Sequence, residues 1–89
     1  MAKVPEDKIN DLYEIIANLT TAEECKMLFD DLCTHKEIEN MAQRIYAAKL
    51  LKNGSTYNEV IKETGIASAT LARISSCVKY GKGYEKFVK

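Results

Sequence analysis

The stretch TYNEVIKETGIASATLARI, from Thr56 to Ile74, decides the fold. Thr56-Tyr57-Asn58-Glu59 has the pattern of a capping box, in which the threonine hydroxyl accepts a backbone N–H and the glutamate reaches back. Val60 and Ile61 supply the apolar contacts of the short helix that follows, and Gly65 stops it. A second helix is predicted to start near Ser68. Two helices joined by a turn of about three or four residues containing glycine form a helix-turn-helix. The corner needs a positive φ, which glycine adopts without steric cost. Val60, Ile66, Leu71 and Ile74 are spaced to lock the two helices at a fixed angle. Small residues, Ala67, Ser68, Ala69 and Thr70, crowd the tip of the second helix. Such a tip lets a helix N-terminus approach groove edges and phosphates. Thr70 can hydrogen-bond a base edge or touch a thymine methyl, whereas Ala69 can make only apolar contact. The segment alone leaves two readings open, a DNA-reading corner and a plain corner in a helical bundle.

Upstream, Thr34-His35-Lys36-Glu37 is another box, opening a long helix through Lys52. Its predicted inner face is Ile38, Met41, Ala42, Ile45, Ala48 and Leu51, and Gly54 closes it as a left-handed cap. Thr21-Ala22-Glu23-Glu24 is a box for a helix expected to bury Cys25, Leu28, Phe29 and Leu32. The first helix is predicted from Glu6 to Leu19, with Pro5 at its start and Glu6 and Asp7 at its positive end. Downstream, Gly81 and Gly83 punctuate the chain, and Tyr80, Tyr84 and Phe87 read as packing for a last short helix. No alternating strand pattern appears. The expectation is one all-helical domain over residues 1–89: helices 1–54 for dimerisation, a helix-turn-helix at 55–79 and a short C-terminal helix at 80–89. The apolar stripe of the first two helices is wide for 89 residues, which suits an intertwined dimer better than a monomeric bundle.

Net charge is zero, but unevenly spread. Residues 1–54 carry seven Lys/Arg and ten Asp/Glu, residues 55–89 six Lys/Arg and three Glu. A basic C-terminal end suggests a face that meets a polyanion. The three cysteines, Cys25, Cys33 and Cys77, are odd in number and form no C-x-x-C pair. They read as small buried apolar residues in a reducing cytoplasm. The single histidine, His35, has no ligand cluster around it and reads as solvated, so no metal and no cofactor is expected. No apolar run is long enough to span a bilayer, and the N-terminus lacks a signal-peptide core. A soluble cytoplasmic protein without membrane contact is the expectation.

These residues resemble the tryptophan repressor family. The likeness runs from Leu32 to about Lys79. Its parts are Leu32-Cys33-Thr34, then Glu37 and Arg44 on the long helix, then Leu50-Leu51-Lys52-Asn53-Gly54. Thr56 to Arg73 follows, with Glu59, Gly65, Ala69, Thr70 and Arg73 on the family pattern. The chain looks like an uncharacterised branch of that bacterial family rather than the repressor itself. The resemblance implies an all-α fold, an intertwined homodimer with two DNA-reading heads, and Ala67 to Thr70 facing the operator. In the repressor two arginines sandwich the indole of bound tryptophan, and these match Arg44 and Arg73. Thr34 matches a threonine at the ligand's α-amino end. Ile74 stands where the repressor has a glycine that makes room for the indole, and Cys77 replaces a serine. A branched side chain in a snug pocket costs about 1–3 kcal/mol, so tryptophan is not expected to bind.

The resulting expectation is a sequence-specific DNA-binding regulator, not an enzyme, whose partners are double-stranded DNA and a second copy of the chain. Ala67, Ser68, Ala69 and Thr70 would read bases, while Lys62, Arg73, Lys79 and Lys82 would hold phosphates. Thr34, Arg44, Arg73, Ile74 and Cys77 would line any effector site. Arg44 could equally pair with Glu37 or Asn40 on the helix surface. The alternatives are a helical protein-interaction module without DNA binding and a repressor responsive to an unidentified small molecule. A small dimeric mutase using Arg44 and Arg73 as a clamp lacks any nucleophile or poised acid–base pair.

Overall fold

Pro5 opens the first helix in the computed structural model, which describes residues 3–89. Six helices and no strand occur among the described residues. Two compact units divide the chain, residues 1–35 and 36–89.

The N-terminal unit holds α1 (Glu6–Ala17) and α2 (Ala22–Leu32). Glu6 and Asp7 occupy the first turn of α1, where carboxylates complement the helix dipole. The helix ends at Ala17, short of the predicted Leu19. The backbone N–H of Asn18 donates to the Glu14 and Ile15 carbonyls, and that of Leu19 to Ile16 at 3.1 Å, so the last turn tightens into the three-residue pattern. Thr21 caps α2 by accepting the Glu24 N–H at 3.0 Å. Glu24 reaches one residue further back than a capping box requires: its Oε1 accepts from the Thr20 backbone N–H at 2.8 Å and the Thr20 hydroxyl at 3.0 Å. Those bonds hold the Glu24 carboxyl below its ordinary pKa.

Neither α1 nor α2 buries a residue. The expected burial of Cys25, Leu28, Phe29 and Leu32 is corrected: Cys25 is exposed, Leu28 and Phe29 are half-buried, and Leu32 keeps 51% of its surface. Cys33 and Cys77 are likewise only half-buried. The helical spacing is sound, but it marks a face that favours cover without supplying the cover.

The C-terminal unit contains most of α3 (His35–Lys52), then α4 (Tyr57–Thr64), α5 (Ser68–Tyr80) and α6 (Gly83–Phe87). Its core is Ala47, Ala48, Val60, Ile66, Leu71, Ile74 and Val88, flanked by Leu50, Leu51, Ile61, Val78 and Tyr84. The inner face of α3 is turned from the expected one. Ala47 and Ala48 are fully buried, Ile38, Met41 and Leu51 half-buried, and Ala42 and Ile45 exposed. Two adjacent alanines present little bulk, so neighbouring helices can approach α3 closely. At the end of α3 the Gly54 N–H donates to Leu51 and the Ser55 N–H to Leu50, with Gly54 at φ +96°. This is a Schellman closure with glycine in the left-handed position.

The tail is fastened from a distance. Lys52 Nζ donates to the carbonyls of Tyr84 at 3.2 Å, Glu85 at 2.9 Å and Val88 at 2.5 Å. One ammonium thus ties together three carbonyls at and just beyond the end of a five-residue helix, of which that of Tyr84 also accepts the Val88 N–H at 3.0 Å. Tyr84 and Val88 pack inward, while Tyr80 and Phe87 stay 83% and 76% exposed, contrary to the expected packing role. No helix of the described residues is long and apolar enough to cross a membrane.

Candidate nucleic-acid interface

The reading corner is built as its residues dictate. The Thr56 hydroxyl accepts the Glu59 N–H at 3.2 Å and Glu59 Oε1 accepts the Thr56 N–H at 2.7 Å, a complete capping box. Those bonds lower the Glu59 carboxyl's pKa, the Thr56 backbone bond most of all. Gly65 ends α4 at φ +71°, and its N–H donates to Ile61 at 2.8 Å. The Thr64 hydroxyl donates to the Val60 carbonyl at 2.7 Å and accepts the Ile66 N–H at 3.2 Å. Val60, Ile66, Leu71 and Ile74 are all buried, as the locking role requires.

Beyond the corner, Ala67, Ser68 and Ala69 are exposed and Thr70 is half-buried. Ala67 caps α5 without a side-chain hydrogen bond, so no side chain of the capping residue covers the first-turn N–H groups. Arg73, Lys62, Lys79 and Lys82 are exposed, and no described residue forms an ion pair with them. Residues 36–89 carry ten Lys/Arg against five Glu, so this unit is the basic one.

Against the tip lies a cleft of about 550 Å³ lined by Arg44, Ala69, Thr70, Arg73, Ile74, Cys77 and Tyr84. Four of the five candidate effector residues therefore meet there. Thr34 belongs to the N-terminal unit. Ile74 is 98% buried, yet it leaves this cleft open beside it, because most of its side chain points into the core with Val60 and Leu71. A smaller hollow of about 230 Å³ behind the corner is lined by Asn40, Gln43, Arg44, Gly65, Ile66, Ala67 and Thr70. Ala69, Thr70 and Arg73 thus belong both to the exposed tip region and to the cleft wall. The volume is within the usual ligand range, and its two guanidiniums suit an anionic group.

Three participants escape sequence reasoning. Tyr84 enters the cleft from α6. Gln43 Nε2 donates to the Thr64 carbonyl at 2.6 Å, and the Tyr46 hydroxyl donates to Glu63 Oε1 at 3.0 Å. The Glu63 carboxylate raises the Tyr46 pKa by accepting that proton's hydrogen bond. These contacts span 17 to 21 residues, and no local pattern announces them. Among the described residues no group of His, Cys, Asp and Glu could hold a metal ion.

The comparisons with known proteins agree with this architecture. A family model described as Trp repressor protein matches residues 7–89. The uncharacterised protein YerC of Bacillus subtilis is 40% identical over 79 residues, covering 89% of this chain and 76% of the relative. A Staphylococcus aureus crystal structure, described as a candidate Trp repressor, superposes with a TM-score of 0.78 at 37% identity. That match covers 85% of this chain and 76% of the other. The chain belongs to the Trp repressor family, a family of DNA-binding regulators.

Proposed function

We propose that the protein is a sequence-specific transcription regulator that binds double-stranded DNA as a homodimer. The observation that carries this reading is the exposed small-residue tip of α5, flanked by cations without ion pairs. Each α5 enters the major groove, where Ala67, Ser68, Ala69 and Thr70 meet base edges. Lys62, Arg73, Lys79 and Lys82 neutralise phosphates. Two heads contact half-sites about one helical turn, roughly 34 Å, apart.

Pairing of copies is supported by the N-terminal unit. Its α1 and α2 bury nothing, and residues 1–35 carry three lysines against eight carboxylates. An acidic, apolar-faced unit in a chain whose other unit is basic favours association between copies.

A second reading has its own support. The Arg44–Arg73 cleft favours a small anionic effector, which would touch Ala69 and Thr70 and so act on DNA binding directly. Ile74 does not fill this space, so the overfilling expected at that position gives no ground against an aromatic guest.

The test is gel retardation of genomic fragments over a salt series. If four cations per protomer contact phosphate, a dimer neutralises about eight, and log K falls with log salt at a slope near −7. Affinity then drops by roughly 10⁴ between about 50 and 200 mM salt. Replacing Arg73 by Glu, or Thr70 by Asp, abolishes the complex. No retarded complex at about 50 mM salt overturns the reading in favour of a protein-interaction module.

A further inference from the structure

Gln43 and Tyr46 stand three residues apart on α3, so they share one helical face. Both reach the closing end of α4. Gln43 Nε2 donates to the Thr64 carbonyl at 2.6 Å, and the Tyr46 hydroxyl to the Glu63 carboxylate at 3.0 Å. Thr64 is the last residue of α4, where a carbonyl has no intrahelical donor. Gln43 therefore satisfies an acceptor that the helix leaves orphaned.

The corner's other bonds are local. Thr64 Oγ1 bridges Val60 and Ile66, and Gly65 bonds Ile61. They set the angle between α4 and α5 but not the seating of the pair on α3. The core beneath is Ala47 and Ala48 against Val60, Ile66 and Leu71. Apolar contact of this kind is non-directional. Directional hydrogen bonds select one seating. Gln43 also lines the hollow behind the corner, with Gly65, Ala67 and Thr70, and is followed in the chain by Arg44 of the cleft.

We propose that Gln43 and Tyr46 are positioning residues that lock the α4–α5 corner onto α3 and so hold the tip in its reading orientation. The consequence for DNA rests on the proposed function; the locking itself does not.

The experiment compares the full-length wild type with Gln43→Met, Gln43→Glu and Tyr46→Phe. It measures amide hydrogen-exchange protection together with DNA affinity. Gln43→Met keeps length and loses the donor. Protection at the hydrogen-bonded amides of Gly65, Ile66 and Leu71 is expected to fall about five- to tenfold, the weight of one hydrogen bond, with mid-α3 amides unchanged. DNA affinity falls by a similar factor at an unchanged salt slope, because no phosphate contact is lost. Tyr46→Phe gives a smaller loss of the same pattern. Gln43→Glu places a carboxylate against the carbonyl, and protonation restores a donor. Its protection factors therefore recover, relative to those of Gln43→Met, as pH is lowered from about 7 to 4, through the ordinary glutamate range. A merely structural role would lower protection throughout the unit and show no such recovery. Unchanged protection at Gly65, Ile66 and Leu71 in Gln43→Met, or no recovery of Gln43→Glu by about pH 4, overturns the proposal. If the exchange pattern appears and the wild type forms no DNA complex, the locking stands and the DNA reading falls.

Discussion

Replacing Gly65 by Ala tests whether the corner is held by backbone torsion or by lack of space. Gly65 has φ +71° and ψ +11°, and a Cβ built there meets nothing within 4 Å. The steric contribution is therefore nil, and only the torsional one remains. An L-residue in the left-handed region costs about 1–2 kcal/mol. Alanine also narrows the unfolded ensemble, which returns about 0.4–1 kcal/mol. The net loss is about 1 kcal/mol, which lowers the melting temperature of a domain this size by about 4–8 °C. Gly65→Asn should lose roughly half as much, because asparagine tolerates this region. Gly81 gives the opposite case, at φ −85° with a built Cβ only 2.7 Å from the Cys77 carbonyl oxygen. There alanine and asparagine should be equally damaging, since the obstacle is contact and not torsion. Urea denaturation followed by circular dichroism measures all four variants; constant m-values show that stability alone has changed. A Gly65→Ala protein as stable as wild type, or a Gly65→Asn protein no better than it, would refute the torsional account.

Three further outcomes are expected. Leu71→Ala removes a side chain with no exposed surface at the centre of the core, and should cost about 2–5 kcal/mol in chemical denaturation. Lys52→Met strips the carbonyls of Tyr84, Glu85 and Val88 of their shared donor; about 2 kcal/mol is lost, and α6 amides exchange far sooner than those of α5. Glu59 has a lowered folded pKa, so its contribution is present above the unfolded value of about 4.3 and is lost as pH falls through the folded one. Gln at position 59 keeps the acceptor without the titration, and the acid limb of the stability–pH curve should become shallower; an unaltered limb contradicts the assignment.

The parts legible in the sequence are those written over three to five residues. The Thr56–Glu59 box, the left-handed glycines at 54 and 65, and the Val60, Ile66, Leu71 and Ile74 frame all follow from local spacing, and all are present. The exposed tip Ala67–Ala69 follows too, because a small polar-apolar mix has nothing to bury. What stays hidden is whatever depends on rotation or on distance along the chain. A long helix with apolar residues on several sides can turn either face inward, and α3 buries Ala47 rather than Ile45. Lys52 reads as an ordinary basic residue at a helix end until residues 32 to 36 positions away arrive beside it. The half-exposed Leu32 and the exposed Met27 show the same limit from the other side, since an apolar stripe records a preference for cover and not its source.

The place of Ile74 has one more consequence. Its sec-butyl group packs with Val60 and Leu71 on one side and forms part of the cleft wall on the other. Trimming it to enlarge the cleft would hollow the domain interior at the same stroke. Appetite for a bulkier guest and tolerance of heat are therefore opposed at this position, and any lineage that widened the chamber here would need to thicken the hydrophobic interior elsewhere.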